Sequence, residues 1–465
     1  MSIEKDSGQW SFETDIVVIG GGGCGLSAAL AAGHGGAEVL LLEKQQQPLS
    51  NTSRSGGMIP AAGTRLQQAA GVNETPEDFA EDIFRKNGHT SDREMTLHLA
   101  RISKELVEWL LDDVGVDLVF SHDFKYPGHA EFRMHVPPNR TGAALVADLQ
   151  KAAEDHPNVE VISNAPGIGL IVDAEDAVAG VVVQRGSHQE RVKSKKVILA
   201  SNGFAGNREM VAQYCPEVAD ALYFGGEGNT GEGILWGLAL GAAVDCMDAF
   251  QAHASVAVPH NILITYALIM EGGFQVNMNG ERFGNESSGY SKHALAVIAQ
   301  PGHVAWDIYD ERLHQLGLNF ADYREAIDAG AIKKAGSLAD LAEELGIDPH
   351  GLQTTFDHYQ SCARGEARDP FDRPDCTLLE APFYGTKVTG ALFHTQGGLR
   401  VDLNARVLKE DGSPIPNLYA GGGVAAGISG HGAGGYLSGN GLLTALGYGM
   451  LAGRDAARAI GEAGT

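Results

Sequence analysis

An α/β fold, built as a parallel-sheet domain interrupted by an inserted α+β cap, is predicted by three observations. The segment TDIVVIGGGGCGLSAALAAGHGGAEVLLLEK runs from a β-branched stretch through glycines into an Ala/Leu helix and back to an apolar strand. Strand-like runs near residues 159–200, and glycine-rich turns leading to a final helix after residue 418, return to the same style. Between about 245 and 375 the pattern changes to inserted helical segments. The expected organisation is a domain in two pieces, 1–245 and 376–465, with a cap at 246–375.

The first unit is strand, turn, helix, strand, a parallel arrangement whose connection must cross over right-handedly. Its Gly20, Gly22 and Gly25 satisfy G-x-G-x-x-G in the context that gives this pattern meaning. One glycine makes the tight turn, one lets the backbone approach a pyrophosphate, and one permits close helix–strand packing. The phosphates would sit at the positive end of the helix. Glu43 closes the second strand, where an acid accepts ribose hydroxyls. This is a Rossmann-type nucleotide-binding unit.

Further along, EMTLHLARISKELVEWLLDDVG reads as a helix, and VEVISNAPGIGLIVDAEDAVAGVVVQRG and KKVILASNGFAGN read as strands separated by turns. In the inserted region SLADLAEELG begins with a serine cap and has an amphipathic face, so it is scaffold of the cap. GLQTTFDHYQSCA is a second helical segment there. The stretch SGNGLLTALGYGMLAG closes the chain as a helix.

Composition bounds the function. The chain has 465 residues, enough for a buried cofactor, and 62 glycines, about twice the usual share of roughly 7 %. With 34 lysines and arginines against 59 aspartates and glutamates the formal charge is −25, which disfavours nucleic acid and anionic membrane surfaces as partners. The five cysteines form no C-x-x-C pair, so no metal knot and no disulfide framework is expected, and a reducing compartment fits. The polar, acidic start and the lack of a run of roughly 20 apolar residues predict a cytoplasmic protein without membrane insertion.

Several motifs in one order resemble the FAD-dependent family of fumarate reductases, succinate dehydrogenases and 3-ketosteroid dehydrogenases: IVVIGGGGCGLSAALAA with Glu43, NTSRSGGMIPAAGT, VILASNGFAGN, NTGEGILWGLALGA, NMNGERFGNES, and NLYAGGGVAAG with SGNGLLTALGYGMLAG. The resemblance spans nearly the whole chain and implies FAD held between a two-part domain and a mobile cap. It implies cofactor contacts at Lys44, Asn51, Thr52, Ser55, Gly56, Gly57, Ala165, Ser201, Asn202, Gly203, Glu232, Gly422, Gly423, Ser438, Asn440 and Leu442, besides the first glycines and Glu43. Gly423 stands where an acid often contacts the ribityl chain, and ASNGF replaces the more common ATGGF. In succinate dehydrogenases a histidine before the paired glycines carries the flavin covalently. Residues 45–57 contain none, so non-covalent FAD is expected.

Dicarboxylate reductases of this family resemble FxNExxTR and HGxNRLGG, whose arginines deliver a proton and clamp a carboxylate. Here Tyr290 occupies the first position, and HGAGGYLSG lacks the second arginine. Without both guanidiniums a small dianion loses its bidentate charge-assisted bonds. RFGNESSGY is instead similar to the RFxNESxPY of 3-ketosteroid 1-dehydrogenases, in which the tyrosine takes the α-proton. Laying HGAGGYLSG over their YPGPGxTIG puts His431 and Gly435 on the substrate carbonyl. FHTQGG and FQAHAS resemble the reductases' HHTMGG and QxHPT, which puts His394 and His253 near a carboxylate or carbonyl.

The implied chemistry is α,β-dehydrogenation of a cyclic ketone, of the 3-ketosteroid or oxocyclohexanecarboxylate kind. Tyr290 abstracts a proton, flavin N5 takes the hydride, and carbonyl donors stabilise the enolate by several kcal/mol. A tyrosine of ordinary pKa near 10 needs positive charge or a relay to act as a base, for which Arg282, Tyr436 and Tyr266 are candidates. Arg282 with Glu286 reads more simply as a structural ion pair, and Arg133, His135 and Arg140 more often tie loops than meet a carboxylate. Two alternatives stay open: an ene-reductase acting on an enone or unsaturated acid with an external electron donor, and a flavin-binding protein without turnover.

Overall fold

The structure is a computed structural model and describes residues 2–46, 49–123 and 125–463. The first sheet is built around strand β1 (Phe12–Ile19), helix α1 (Gly23–His34) and strand β2 (Val39–Leu42), with β3 (Val159–Ile162) beside β2, all parallel. Strands β4 (Gly167–Val172) and β5 (Val178–Arg185) form an antiparallel pair leading into β6 (His188–Leu199), which lies parallel to β1. The second half of β1, Ile16–Ile19, is an unbroken apolar run and Ile16, Val17 and Val18 are fully buried, as expected of a central parallel strand covered on both faces.

A second sheet carries the inserted part. β7 (Phe250–Ala257) and β8 (Val304–Asp310) both pair antiparallel with β9 (Phe383–Thr395). The 13 residues of β9, which lie beyond the return expected at residue 376, hydrogen-bond inside this second sheet. An apolar run announces a strand and not its partners, so the sequence had no means of assigning it. The chain rejoins the first sheet with the short strand Arg406–Leu408, which pairs antiparallel with β10 (Pro414–Ala420), itself parallel to β6.

The register lines up the strand ends that matter. Ile19 is opposite Leu42 and Leu199, and Leu199 is opposite Ala420. The loops that follow these residues thus open together at the C-terminal edge of the parallel strands, where α/β sheets bind ligands. The last helix, α3 (Asn440–Ala463), packs on α1 through small residues. A Cβ on Gly449 or Gly453 would stand 2.3 Å from the carbonyl oxygen of Cys24 or Ala28. Among the described residues no helix is long and apolar enough to cross a membrane.

Candidate active site

A cavity of about 610 Å³ runs from the glycine loop after β1 to the cap sheet. Gly20, at φ +114, makes the turn, and a Cβ there would lie 2.4 Å from the Ala200 carbonyl oxygen. Gly25 does not line the cavity. It lets α1 pass the turn, since its Cβ would fall 1.8 Å from the Gly20 oxygen. Glu43 is buried, with its carboxylate accepting the Gly21 and Gln45 N–H groups at 2.8 Å each.

Gly22, Lys44, Asn51, Thr52, Ser55 and Gly56 continue this wall, as do Ser201, Asn202, Glu232, Gly422, Gly423 and Leu442. Lys44 holds the Glu232 carboxylate at 3.1 Å. Burial raises that carboxyl's pKa, but the Thr230 hydroxyl at 2.6 Å and the Lys44 charge outweigh it and leave the group below its ordinary value. Gly57, Ala165, Gly203 and Asn440, expected as direct contacts, do not line the cavity. Ala165 donates its N–H to the Glu43 carbonyl, and a Cβ on Gly203 would meet the Thr395 hydroxyl at 2.1 Å, so both hold the wall from behind.

The fit to a dinucleotide rests on unsatisfied polar atoms. Ser201 Oγ, Glu232 Oε2, Arg54 Nε and Trp236 Nε1, all on residues that line the cavity, are buried without a partner among the described residues. Buried polar groups are normally hydrogen-bonded, so a cleft with several orphans beside a glycine turn is shaped for a polar, extended ligand. FAD fits these residues.

The other part of the cavity is made of side chains. Tyr290 opens helix α2 (Tyr290–Ile298) behind Gly289, whose φ of +106 turns the chain sharply into the helix. The preceding loop is fixed by buried charges: Arg282 and Glu286 pair at 2.7 Å, Arg282 also reaches Asp369, and Arg373 approaches Glu286 at 3.5 Å. Arg282 is thus an ion-pair residue committed to acids and is no cationic partner for Tyr290. Arg133 likewise pairs with Glu74 and Asp82 and ties loops together, while Arg140, beside Asp123 at 2.6 Å, does line the cavity.

Tyr290 Oη lies 2.9 Å from Ser438 Oγ, and its ring stacks on His253 at 4.9 Å. Ser438, expected as a cofactor contact, is therefore the hydroxyl partner of this tyrosine. Burial pushes the Tyr290 phenol well above its ordinary range; the nearby Tyr436 adds to the rise and the Ser438 bond only partly opposes it. Tyr266, the other expected relay, instead donates to the Glu286 carbonyl at 3.0 Å.

The histidines are positioned by a kinked strand. The β7–β9 pairing slips between Gln251 and Ala252 and again between His253 and Val256, and such bulges re-aim side chains. The Ser255 N–H donates to His253 Nδ1 at 3.1 Å, which assigns the proton to Nε2. At His394, Nδ1 lies 2.9 Å from Gln396 Nε2 and 3.4 Å from the Thr395 carbonyl; with the shorter contact as the hydrogen bond, and Gln396 Oε1 accepting from Ser429 Oγ at 2.8 Å, the same tautomer is assigned. Burial lowers His253 to about 3 and His394 to about 4, so both rings are neutral at pH 7 and each offers an Nε2–H.

Two of the expected residues are not brought to the cavity. His431 is exposed and bound to Asp248 at 2.7 Å, and neither it nor Gly435 lines the cavity. Gly435 is packed against the Ser429 carbonyl and Asn87. The loop folds so that Tyr436 is the residue that lines the cavity, its ring edge-on to His394 at 5.6 Å and its phenol pushed up to about 12 by burial. Glycines at positive φ on both sides, Gly430, Gly432 and Gly439, permit a path that no linear overlay anticipates.

Comparison with known proteins places the chain. The FAD binding domain family matches residues 15–442. The fumarate reductase (cytochrome) of Shewanella frigidimarina is 32 % identical over 96 % of this chain and 77 % of its own. The open conformation of a flavocytochrome c3 fumarate reductase superposes with a TM-score of 0.82 at 29 % identity, covering 97 % of this chain and 79 % of that one. The 3-ketosteroid-Δ4-(5α)-dehydrogenase of Rhodococcus jostii RHA1, in complex with 4-androstene-3,17-dione, gives a TM-score of 0.76 at 26 % identity, covering 98 % of this chain and all of that one.

Proposed function

We propose, for a chain that belongs to the FAD binding domain family, that it moves two hydrogens across the α,β carbon–carbon bond of a cyclic carbonyl compound. That it is an FAD-dependent oxidoreductase acting on CH–CH bonds follows from its relatives in both branches; the substrate class and the residue roles are our reading. FAD, held non-covalently along the Gly20–Gly22 turn, Glu43, Ser201 and Glu232, would supply the uptake or return of a hydride.

The remaining chemistry belongs to the chain. Tyr290 carries the α-proton at Oη, with Ser438 Oγ as the adjoining hydroxyl. Tyr436 Oη–H and His394 Nε2–H hold the carbonyl oxygen and stabilise the negative charge it gains. His253 supports the Tyr290 ring from its face. Two neutral histidines make a poor clamp for a dianion, which supports a carbonyl over fumarate. The contact between Tyr290 and Ser438 beside the Tyr436–His394 pair is the observation that carries this reading.

A second direction is favoured by one specific fact. A phenol pushed well above its ordinary range rests protonated, so its resting form holds the proton that reduction of an enone by the reduced enzyme requires. Anaerobic mixing of the oxidised enzyme with saturated cyclic ketones, and of the reduced enzyme with enones, tests both. Bleaching in the first mixture supports dehydrogenation and flavin reoxidation in the second supports reduction. A flavin spectrum unmoved by every carbonyl compound refutes both and leaves a flavin-binding protein without turnover.

A further inference from the structure

We propose that Asp245, Cys246 and His431 bind a divalent metal ion of the zinc class at the surface, outside the catalytic cavity. Each residue offers one ligand atom, and the three atoms lie within 4.8 Å of one another. The set is one thiol, one imidazole and one carboxylate, a mixture that suits a borderline ion with three protein ligands and water in the remaining position. Asp245 and His431 are exposed, so the ion has a path of entry, while Cys246 is 7 % exposed and forms the floor.

His431 is prepared for the role. Its Nδ1 lies 2.7 Å from Asp248 Oδ1, which fixes the ring; ligation through Nε2 would complete a carboxylate–histidine–metal triad. Cys246 has a φ of +48, a left-handed conformation uncommon for a residue with a side chain, and its N–H is held by Asp245 Oδ1 at 2.8 Å. Asp245, Asp248 and Asp92 place negative charge around Cys246, which favours a cation. On binding, the sulfur–metal bond forms as the thiol proton leaves to solvent, so affinity rises with pH.

The site ties two walls of the cavity together. Asp245 and Cys246 lead into β7, which carries Gln251 and His253, and His431 precedes Tyr436 on the opposite loop. Gly432 already accepts the Phe250 N–H at 3.4 Å, so the two segments are neighbours before any ion arrives.

The test uses the full-length, FAD-loaded protein, stripped with a chelator and titrated with Co²⁺ as a probe and then Zn²⁺. The expected result is one equivalent of Co²⁺ per chain with a thiolate-to-cobalt charge-transfer band that Zn²⁺ abolishes. Cys246→Ser removes the band, His431→Gln and Asp248→Asn each weaken binding by about 10–100-fold, and Cys362→Ser leaves the band intact. Flavin occupancy and melting temperature confirm that each variant is folded; His431 and Asp248 are exposed, so those two arms stand even if Cys246→Ser fails to fold. No stoichiometric uptake by the native protein, or undiminished uptake by His431→Gln, overturns the proposal.

Discussion

The glycine cleft and the reaction end of the same cavity are built by opposite means. The cleft is made by backbone: a turn at Gly20, a close pass at Gly25, strand ends in register, and an acid that caps two N–H groups. The reaction end is made by side chains from distant segments, Tyr290 meeting Ser438 across 148 positions and His253 stacking between Tyr290 and Phe393. The first construction tolerates almost no added atom. The second depends on single polar atoms, and its charge is kept near zero by burial. Cofactor retention and turnover should therefore fail separately under mutation.

The sharpest break of the comparison is Tyr290→Phe, which we expect to lower turnover by roughly 10²–10⁴-fold, the usual range for a lost proton carrier, with flavin content unchanged. Next is Tyr436→Phe, expected to lower kcat by about 10²–10³-fold as one oxyanion donor is lost, again with the flavin retained. Steady-state rates beside the ratio of flavin to protein absorbance check both. Gly25→Ala should do the reverse. Its methyl group would sit 1.8 Å from the Gly20 oxygen, costing about 1–3 kcal/mol or more and yielding protein depleted of flavin.

The smallest effect concerns pH. The ordinary histidine pKa is near 6.5, and burial depresses His253 to about 3 and His394 to about 4 in the folded protein. Below pH 6.5 the unfolded chain takes up these protons first, so the stability they contribute is full above that value and falls towards pH 4. At pH 5.5 the loss is on the order of 1 kcal/mol per histidine, measurable by urea denaturation. Asp307, raised to about 7 by burial, shifts the opposite way and offsets part of it. Replacing His394 with Gln should flatten the profile.

Legibility followed the same division. The strand–turn–helix at Gly20, Gly22 and Gly25, with Glu43 at the next strand end, was readable because a tight turn and close helix–strand packing admit few residue types at those places. The loop containing His431, Gly435 and Tyr436 was not, because glycine-rich segments have no period and an overlay of HGAGGYLSG by residue type put the polar tip on the wrong residue. Ser438 as partner of Tyr290, and Gln396 as the residue that sets the His394 tautomer, are tertiary facts without a local signal, although Gln396 stands two residues beyond His394. Arg282 with Glu286 was legible as an ion pair because buried charges need partners.

Exchange of the substrate's α-hydrogen with solvent tests the central claim most directly, since it isolates proton movement from hydride transfer. With the reduced enzyme in D₂O and a saturated cyclic ketone that bleaches the oxidised enzyme on anaerobic mixing, the native protein should wash deuterium into the α-carbon. The Tyr290→Phe variant, with its flavin in place, should not. Equal exchange in the two proteins would contradict the account.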